Sequence, residues 1–276
     1  MRVIGQQHLQ SQIEQMIENG TFPRFSIIVG PRGSGKKTLA HLIYQKFGTG
    51  IFSNIGTSVD AVRQCIAQSY MIRGNQSIYL LADADNMSNA AKNALLKVTE
   101  EPPNNSYFIM TLEDEHNTLE TIRSRGAVFR MDRYTPDEIM QYITKKYGST
   151  ADDNIDIFKG ICDTPGDADI LAKCGIKSFY EYVQLVVDNI AEVSLANAFK
   201  IPSKVALKDG VEGYDLKLFW KAFYKICGDR FFIDLEQKYG EALAPTQRAL
   251  QQLRIKGINK QMLMDNWILE VRDAWS

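Results

Sequence analysis

Gly30, Gly33 and Gly35 precede Lys36 in the stretch GPRGSGKKT (30–38), a spacing suited to holding an anion. A glycine-rich turn between a buried strand and a helix aims several backbone N–H groups at one point. The positive end of the helix macrodipole adds to them. Lys36 supplies a mobile charge that can reach β- and γ-phosphates. The pattern G-x-x-x-x-G-K-[ST] then calls for a hydroxyl that ligates Mg²⁺. Lys37 stands there instead, and Thr38 comes one residue late. An ammonium repels a metal ion, and Thr38 lies about 100° further round the helix, so its hydroxyl points elsewhere. The loop reads as a phosphate cradle for ATP or ADP without hydrolysis. Lys37 replaces part of the missing metal charge, and magnesium is not expected.

Other chemistry-bearing residues are sparse. Cys65, Cys162, Cys174 and Cys227 are scattered without a CxxC pair, so they read as reduced core thiols rather than a zinc site. His8, His41 and His116 show no metal-ligand spacing. The acidic run Glu113–Glu115 reads as a solvated loop. Net charge over the 276 residues is −1, so no global basic field advertises nucleic acid, and any DNA contact needs local patches. Hydrophobic content is 45% and charged content 24%, ordinary for a globular protein of two or three domains. The opening MRVIGQQHLQ lacks a signal-peptide core and no apolar run suits a membrane span; the expectation is cytoplasmic, with no membrane partner.

The elements that must position the cradle follow from periodicity. FSIIVG (25–30), SIYLLA (77–82), YFIMT (107–111) and AVFRM (127–131) read as strands, and IFSNI (51–55) as a weaker one. Helices are expected over 35–47 and 59–70, and over 88–101 behind Ser88 as N-cap. The alternation predicts an α/β fold with a parallel sheet covered by helices on both faces. After Met131 the strand signal stops. Thr135-Pro136-Asp137-Glu138 combines a capping box with Pro at the first helical position, and a helical segment runs to about Cys174. Further helical stripes follow: Phe179, Val183, Val186 and Ile190; Leu216, Trp220 and Phe223; Met264, Ile268 and Val271. Such stripes read as core. VALKDGVEGYD (205–215) is the most loop-like stretch of this half.

Residues 78–126, IYLLADADNMSNAAKNALLKVTEEPPNNSYFIMTLEDEHNTLETIRSRG, resemble the ATPase core of AAA+ sliding-clamp loaders. That family includes bacterial DNA polymerase III loader subunits and replication factor C small subunits. The resemblance rests on NALLKxxEEPP (93–103), a strand ending in Thr111 at a sensor-like position, IRSRG (122–126) where the family usually has SRC, VIGQ (3–6), and the FPRFSIIVGPRGSGK region. INKQMLMDNWILEVR (258–272) is more weakly similar to the last helices of the family's collar. The resemblance implies a P-loop AAA+ core (1–131), a small helical lid (132–176) and an all-α collar for oligomerisation (177–276).

Within that register the sequence departs from the ATPases. Their D-E-A-D-K-M becomes Ala82-Asp83-Ala84-Asp85-Asn86-Met87, a degenerate Walker B motif. Ala82 takes the place of the metal-holding Asp, and Asp83 that of the water-activating Glu, one methylene too short. Strand alternation puts Asp83 on the opposite side from Ala82. DTPGDADILAKC (163–174) lacks the lid arginine, and the stretch between Phe47 and Ala82 holds only Cys65 where such bacterial subunits carry a four-cysteine zinc module, so no zinc is expected. Ser124-Arg125 is intact. The family's arginine there reaches the ATP of a neighbouring subunit as a trans arginine finger; the plainer reading of Arg125 is a surface ion pair with Asp132. The resemblance therefore implies a non-hydrolysing, delta-prime-like subunit. Its implied partners are ATPase and clamp-opening loader subunits, and, through the assembly, the sliding clamp and primer–template DNA. An active ATPase subunit and a non-nucleotide scaffold of the same fold are the alternatives.

Overall fold

The computed structural model of the chain describes residues 3–47, 50–71, 74–148, 155–207, 213–255 and 257–275. Two compact units divide at Glu138/Ile139. The first is built on five strands: β1 (Phe25–Val29), β2 (Phe52–Ile55), β3 (Ser77–Leu81), β4 (Ser106–Leu112) and β5 (Ala127–Arg130). They pair in the order β2-β3-β4-β1-β5, all parallel. β1, β3 and β4 are buried almost throughout, as the continuous apolar runs of a sheet covered on both faces require.

Alternation along these strands feeds two cores. On one face Ile28, Ile78, Leu80 and Ile109 meet Leu9 and Ile13 of α1 (Gln7–Glu18) and Leu39, Ala40 and Ile43 of α2 (Lys36–Phe47). On the other, Ile27, Tyr79, Leu81, Phe108 and Met110 meet the helices α3 (Val59–Met71), α4 (Asn89–Ala94), α5 (Leu96–Glu100) and α6 (Glu120–Arg123). The single helix expected over 88–101 is two. Ser88 caps the first by accepting from Ala91 N–H. At Leu95 the ladder tightens to a bond on the carbonyl of Lys92, three residues back, and this breaks the helix where Leu95 is fully buried.

The second unit is helical: α7 (Pro136–Tyr147, whose first turn holds the boundary), α8 (Ile155–Ile161), α9 (Pro165–Cys174), α10 (Ile176–Asn189), α11 (Leu195–Ala198), α12 (Leu216–Asp234), α13 (Gln237–Glu241), α14 (Leu243–Gln252) and α15 (Lys260–Trp275). α12 packs against α8, α10, α13 and α14, which is why Leu216, Phe219, Trp220, Phe223 and Ile226 are buried around more than one of its faces. The expected loop 205–215 carries at its ends a short parallel pair, β6 (Val205–Ala206) with β7 (Tyr214–Asp215); its middle, 208–212, lies outside the described residues. Among the described residues no helix is long and apolar enough to cross a membrane.

The capping box at α7 forms as the sequence predicts. Thr135 Oγ1 accepts from Glu138 N–H at 3.2 Å, and Glu138 Oε2 accepts from Thr135 N–H at 2.8 Å. Thr135→Ala is expected to destabilise the chain by about 1 kcal/mol, read as a lowered midpoint of thermal unfolding. An unchanged midpoint would mean that the exposed cap contributes nothing.

Candidate functional site

All five strands run the same way, so the loops leaving β1, β3 and β4 gather at one edge of the sheet. Ligands in open α/β sheets bind at that edge. β1 ends at Val29, and residues 30–35 turn back into α2. The turn needs left-handed backbone at Gly33 (φ 80°) and Gly35 (φ 92°), which glycine adopts without steric penalty. Gly30 is closely packed: a Cβ there would lie 3.0 Å from both Met131 Cβ and Ser34 Oγ, so a larger residue requires those neighbours to give way. Tyr134 Oη donates to the Ser34 carbonyl at 2.6 Å, tying the loop to the segment after β5.

Lys36 is 7% exposed, and its ammonium donates to the carbonyls of Gly30 (2.6 Å) and Pro31 (2.9 Å). It is folded back onto its own loop. Burial lowers its pKa from the usual range, while the carboxylates of Glu113, Asp85 and Asp83 act in the opposite direction. Thr38 is half-buried on α2. Lys37 is exposed and pairs with Asp83 Oδ2 at 2.5 Å.

That pair corrects the expectation that Ala82 and Asp83 point to opposite sides. β3 ends at Leu81, so strand alternation no longer applies beyond it. Asp83 takes a left-handed conformation (φ 51°), with its N–H donated to Thr111 Oγ1 at 2.9 Å. Its carboxylate consequently reaches Lys37 on α2, while Ala82 sits in the core shared with Leu39 and Ala40 of that same helix. Thr111 is fully buried on β4, opposite Ile28 of β1, and its hydroxyl meets the turn after β3 through that bond.

Asp85 has a role that residue type alone did not reveal. Its carboxylate accepts from Glu113 N–H (2.9 Å) and from the side-chain amide of Asn117 (2.9 Å). Buried Lys92 donates to the Asn117 carbonyl. The acidic run 113–115 is thus a loop held against the turn after β3. The DAD repeat at 83–85 was the one sequence signal for it.

Arg125 is not brought to this cradle. It precedes β5, whose Ala127 pairs with Ser26 near the start of β1, at the sheet edge opposite the cradle. The plainer alternative, a surface ion pair, is present, with Glu100 rather than Asp132 as the partner. Arg125 Nη2 is 2.8 Å from Glu100 Oε1, and Nη1 donates to the Thr121 carbonyl at 2.8 Å. Asp132 lies beyond the far end of β5, whereas Glu100 ends α5 beside α6. The Arg125 side chain is 38% exposed.

Gly126 explains the glycine of IRSRG. A Cβ built there would lie 2.9 Å from Ile27 Cδ1 and 3.0 Å from Phe25 Cδ1. Gly126→Cys is expected to overpack this core by about 1–3 kcal/mol, measured as a fall in the urea midpoint. Full stability in that variant would show that Ile27 and Phe25 repack freely.

The four cysteines are free; burial raises the thiols of Cys65, Cys162 and Cys227 to about 12. In 163–174, the segment without a lid arginine, Asp167 near the start of α9 is buried and holds Lys217 of α12 at 2.9 Å.

Residues 53–135 match the family described as DNA polymerase III, delta subunit. DNA polymerase III subunit gamma of Buchnera aphidicola subsp. Schizaphis graminum is 27% identical over 184 residues, 55% of this chain and 51% of the relative. The Replication factor C small subunit of Aeropyrum pernix is 22% identical over 248 residues, 78% and 75% of the two chains. The chain spans about half the length of the gamma relatives it matches. Among solved structures, a DNA polymerase III gamma subunit-related protein of Thermotoga maritima aligns with TM-score 0.52 and 15% identity over 97% of this chain and all of that one. The RuvB Holliday junction branch migration motor of Thermotoga maritima aligns with TM-score 0.51 and 18% identity, covering 83% and 77%. The solved structures share the fold, a parallel-sheet α/β core followed by helices, and the sequence relatives are subunits named for DNA polymerase III and replication factor C.

Proposed function

We propose that this chain is a non-hydrolysing, delta-prime-like subunit of a DNA polymerase sliding-clamp loader in DNA replication. Residues 132–176 serve as its lid and 177–276 as the collar that joins it to ATPase and clamp-opening subunits. The sliding clamp and primer–template DNA are met by the assembly. The cradle holds ATP or ADP without hydrolysis, and Arg125 acts in trans on the ATP of a neighbour.

One observation carries this reading. The metal-holding position is the methyl of Ala82 and the residue after Lys36 is the ammonium of Lys37, while Arg125, paired with Glu100, stands at the sheet edge opposite its own cradle.

The test is hydrolysis by the complete assembly, formed with loader ATPase subunits, with Arg125→Ala or Lys36→Ala placed in this chain alone. Loss with Arg125→Ala supports the proposal. The gamma and replication factor C relatives favour a second reading, an active ATPase subunit. Loss with Lys36→Ala, and persistence with Arg125→Ala, would establish that reading instead.

A further inference from the structure

The cradle does not fit magnesium. Mg²⁺ takes near-octahedral oxygen ligands at about 2.0–2.1 Å, with one or two carboxylates among them. Here the residue after Lys36 is an ammonium, and the residue in the metal-holding position is the methyl of Ala82. Asp83 offers an oxygen, but one already 2.5 Å from Lys37 Nζ. The Asp85 carboxylate holds Glu113 N–H and the Asn117 amide, so using it would release the loop after β4.

We infer that the cradle takes a nucleoside diphosphate as the metal-free anion, with Lys37 as the built-in counter-charge and Asp83 as the carboxylate that the anion displaces. This rests on the proposed reading that the loop holds nucleotide. Two positive groups stand beside the turn, each on an internal partner: Lys36 on its own loop carbonyls and Lys37 on Asp83. Both members of the Lys37–Asp83 pair are more than half exposed (54% and 52%), and such pairs contribute only about 0–1 kcal/mol. A phosphate supplies a stronger partner than a solvated carboxylate, and charge-assisted bonds to it are correspondingly stronger. Lys37 therefore exchanges one anion for another, with no cation recruited from solvent. Asp83, left facing the bound phosphate, opposes binding by like-charge repulsion.

The experiment is calorimetric titration of the full chain with ADP, in EDTA and in millimolar Mg²⁺. Wild-type affinity is expected to agree within about threefold between the two conditions, about 0.6 kcal/mol. In EDTA, Lys37→Ala weakens binding by about tenfold through loss of a charge-assisted bond. Asp83→Asn tightens it by up to about fivefold through removal of the competing charge. The double variant Lys37→Thr with Ala82→Asp, which restores a hydroxyl and a carboxylate, becomes Mg²⁺-dependent. Circular dichroism checks that each variant folds. Wild-type binding that requires Mg²⁺, or weaker binding by Asp83→Asn, overturns the metal-free inference and leaves the nucleotide reading standing. No ADP binding in either buffer overturns both.

Discussion

In the proposed clamp-loader assembly, Arg125→Ala in this chain is expected to slow hydrolysis by the neighbouring ATPase subunit by about 10³–10⁵-fold, the range over which an arginine finger acts. The size of the effect comes from where the charge arrives. A guanidinium docking on a γ-phosphate in a water-poor interface stabilises the charge that spreads over the transferring phosphoryl group. Within this chain Arg125 stands at the sheet edge opposite the cradle. α6 ends at Arg123, and Gly126 passes against Phe25 and Ile27 at the start of β1, so the intervening Arg125 is carried on a short, well-anchored turn. Glu100 and the Thr121 carbonyl engage Nη2 and Nη1. Arg125→Lys keeps a positive charge but loses the planar fork, so most of the rate loss is expected to remain. The assembly is weighed in parallel, because the result bears on the finger only if the subunits stay together. Full hydrolysis by an intact Arg125→Ala assembly would remove Arg125 from the reaction.

Trp267→Ala is expected to destabilise the helical unit by about 3–5 kcal/mol, the usual effect of truncating a buried tryptophan. Trp267 on α15 is 2% exposed, with its ring centroid 4.8 Å from that of Phe223, 5.6 Å from Phe219 and 6.0 Å from Trp220. Its Nε1 donates to Thr246 Oγ1 at 3.1 Å, and Thr246 in turn donates to the Ala242 carbonyl at 2.8 Å. Alanine thus opens a cavity between α12 and α15 and removes a buried hydrogen bond. Trp267→Phe refills most of the ring volume and loses mainly that bond, so it should cost about 1 kcal/mol plus a smaller packing loss. Urea unfolding followed by tryptophan fluorescence reads this directly. The chain's three tryptophans, 220, 267 and 275, all lie in the second unit, so the signal reports that unit and two reporters remain in either variant. A midpoint for Trp267→Ala indistinguishable from wild type would mean that this aromatic cluster is not what holds the unit together.

Much of the scaffold was legible from period and punctuation. The five expected strands fall within one or two residues of β1 to β5, because buried parallel strands are nearly all apolar and are bounded by polar turns. The α7 start was equally plain, since a capping box closes within four residues. The phosphate loop is likewise local: strand, glycines and lysine are contiguous in the chain. Where sequence reasoning went astray, a local rule met a local exception. Alternation was carried past the end of β3, where Asp83 turns left-handed. A single helix was carried through Leu95, where burial tightens the ladder.

The amino-acid sequence by itself determined which residues the cradle contains and which it lacks. Gly30, Gly33, Gly35 and Lys36 are present, and Lys37 and Ala82 stand where metal-binding residues are expected. It also determined the order of strands and helices along the chain, because these depend on residue type and on spacing within a few positions. Only the tertiary structure decided which groups neutralise one another. Lys37 and Asp83 are 46 residues apart in the chain, and Asp85 meets Asn117 across 32. Arg125 chooses Glu100 over Asp132 because α5 and α6 meet at one edge of the sheet while Asp132 leaves the other. Such pairings depend on strand order and helix placement, and the β2-β3-β4-β1-β5 order is a property of long-range packing that no short stretch of sequence encodes.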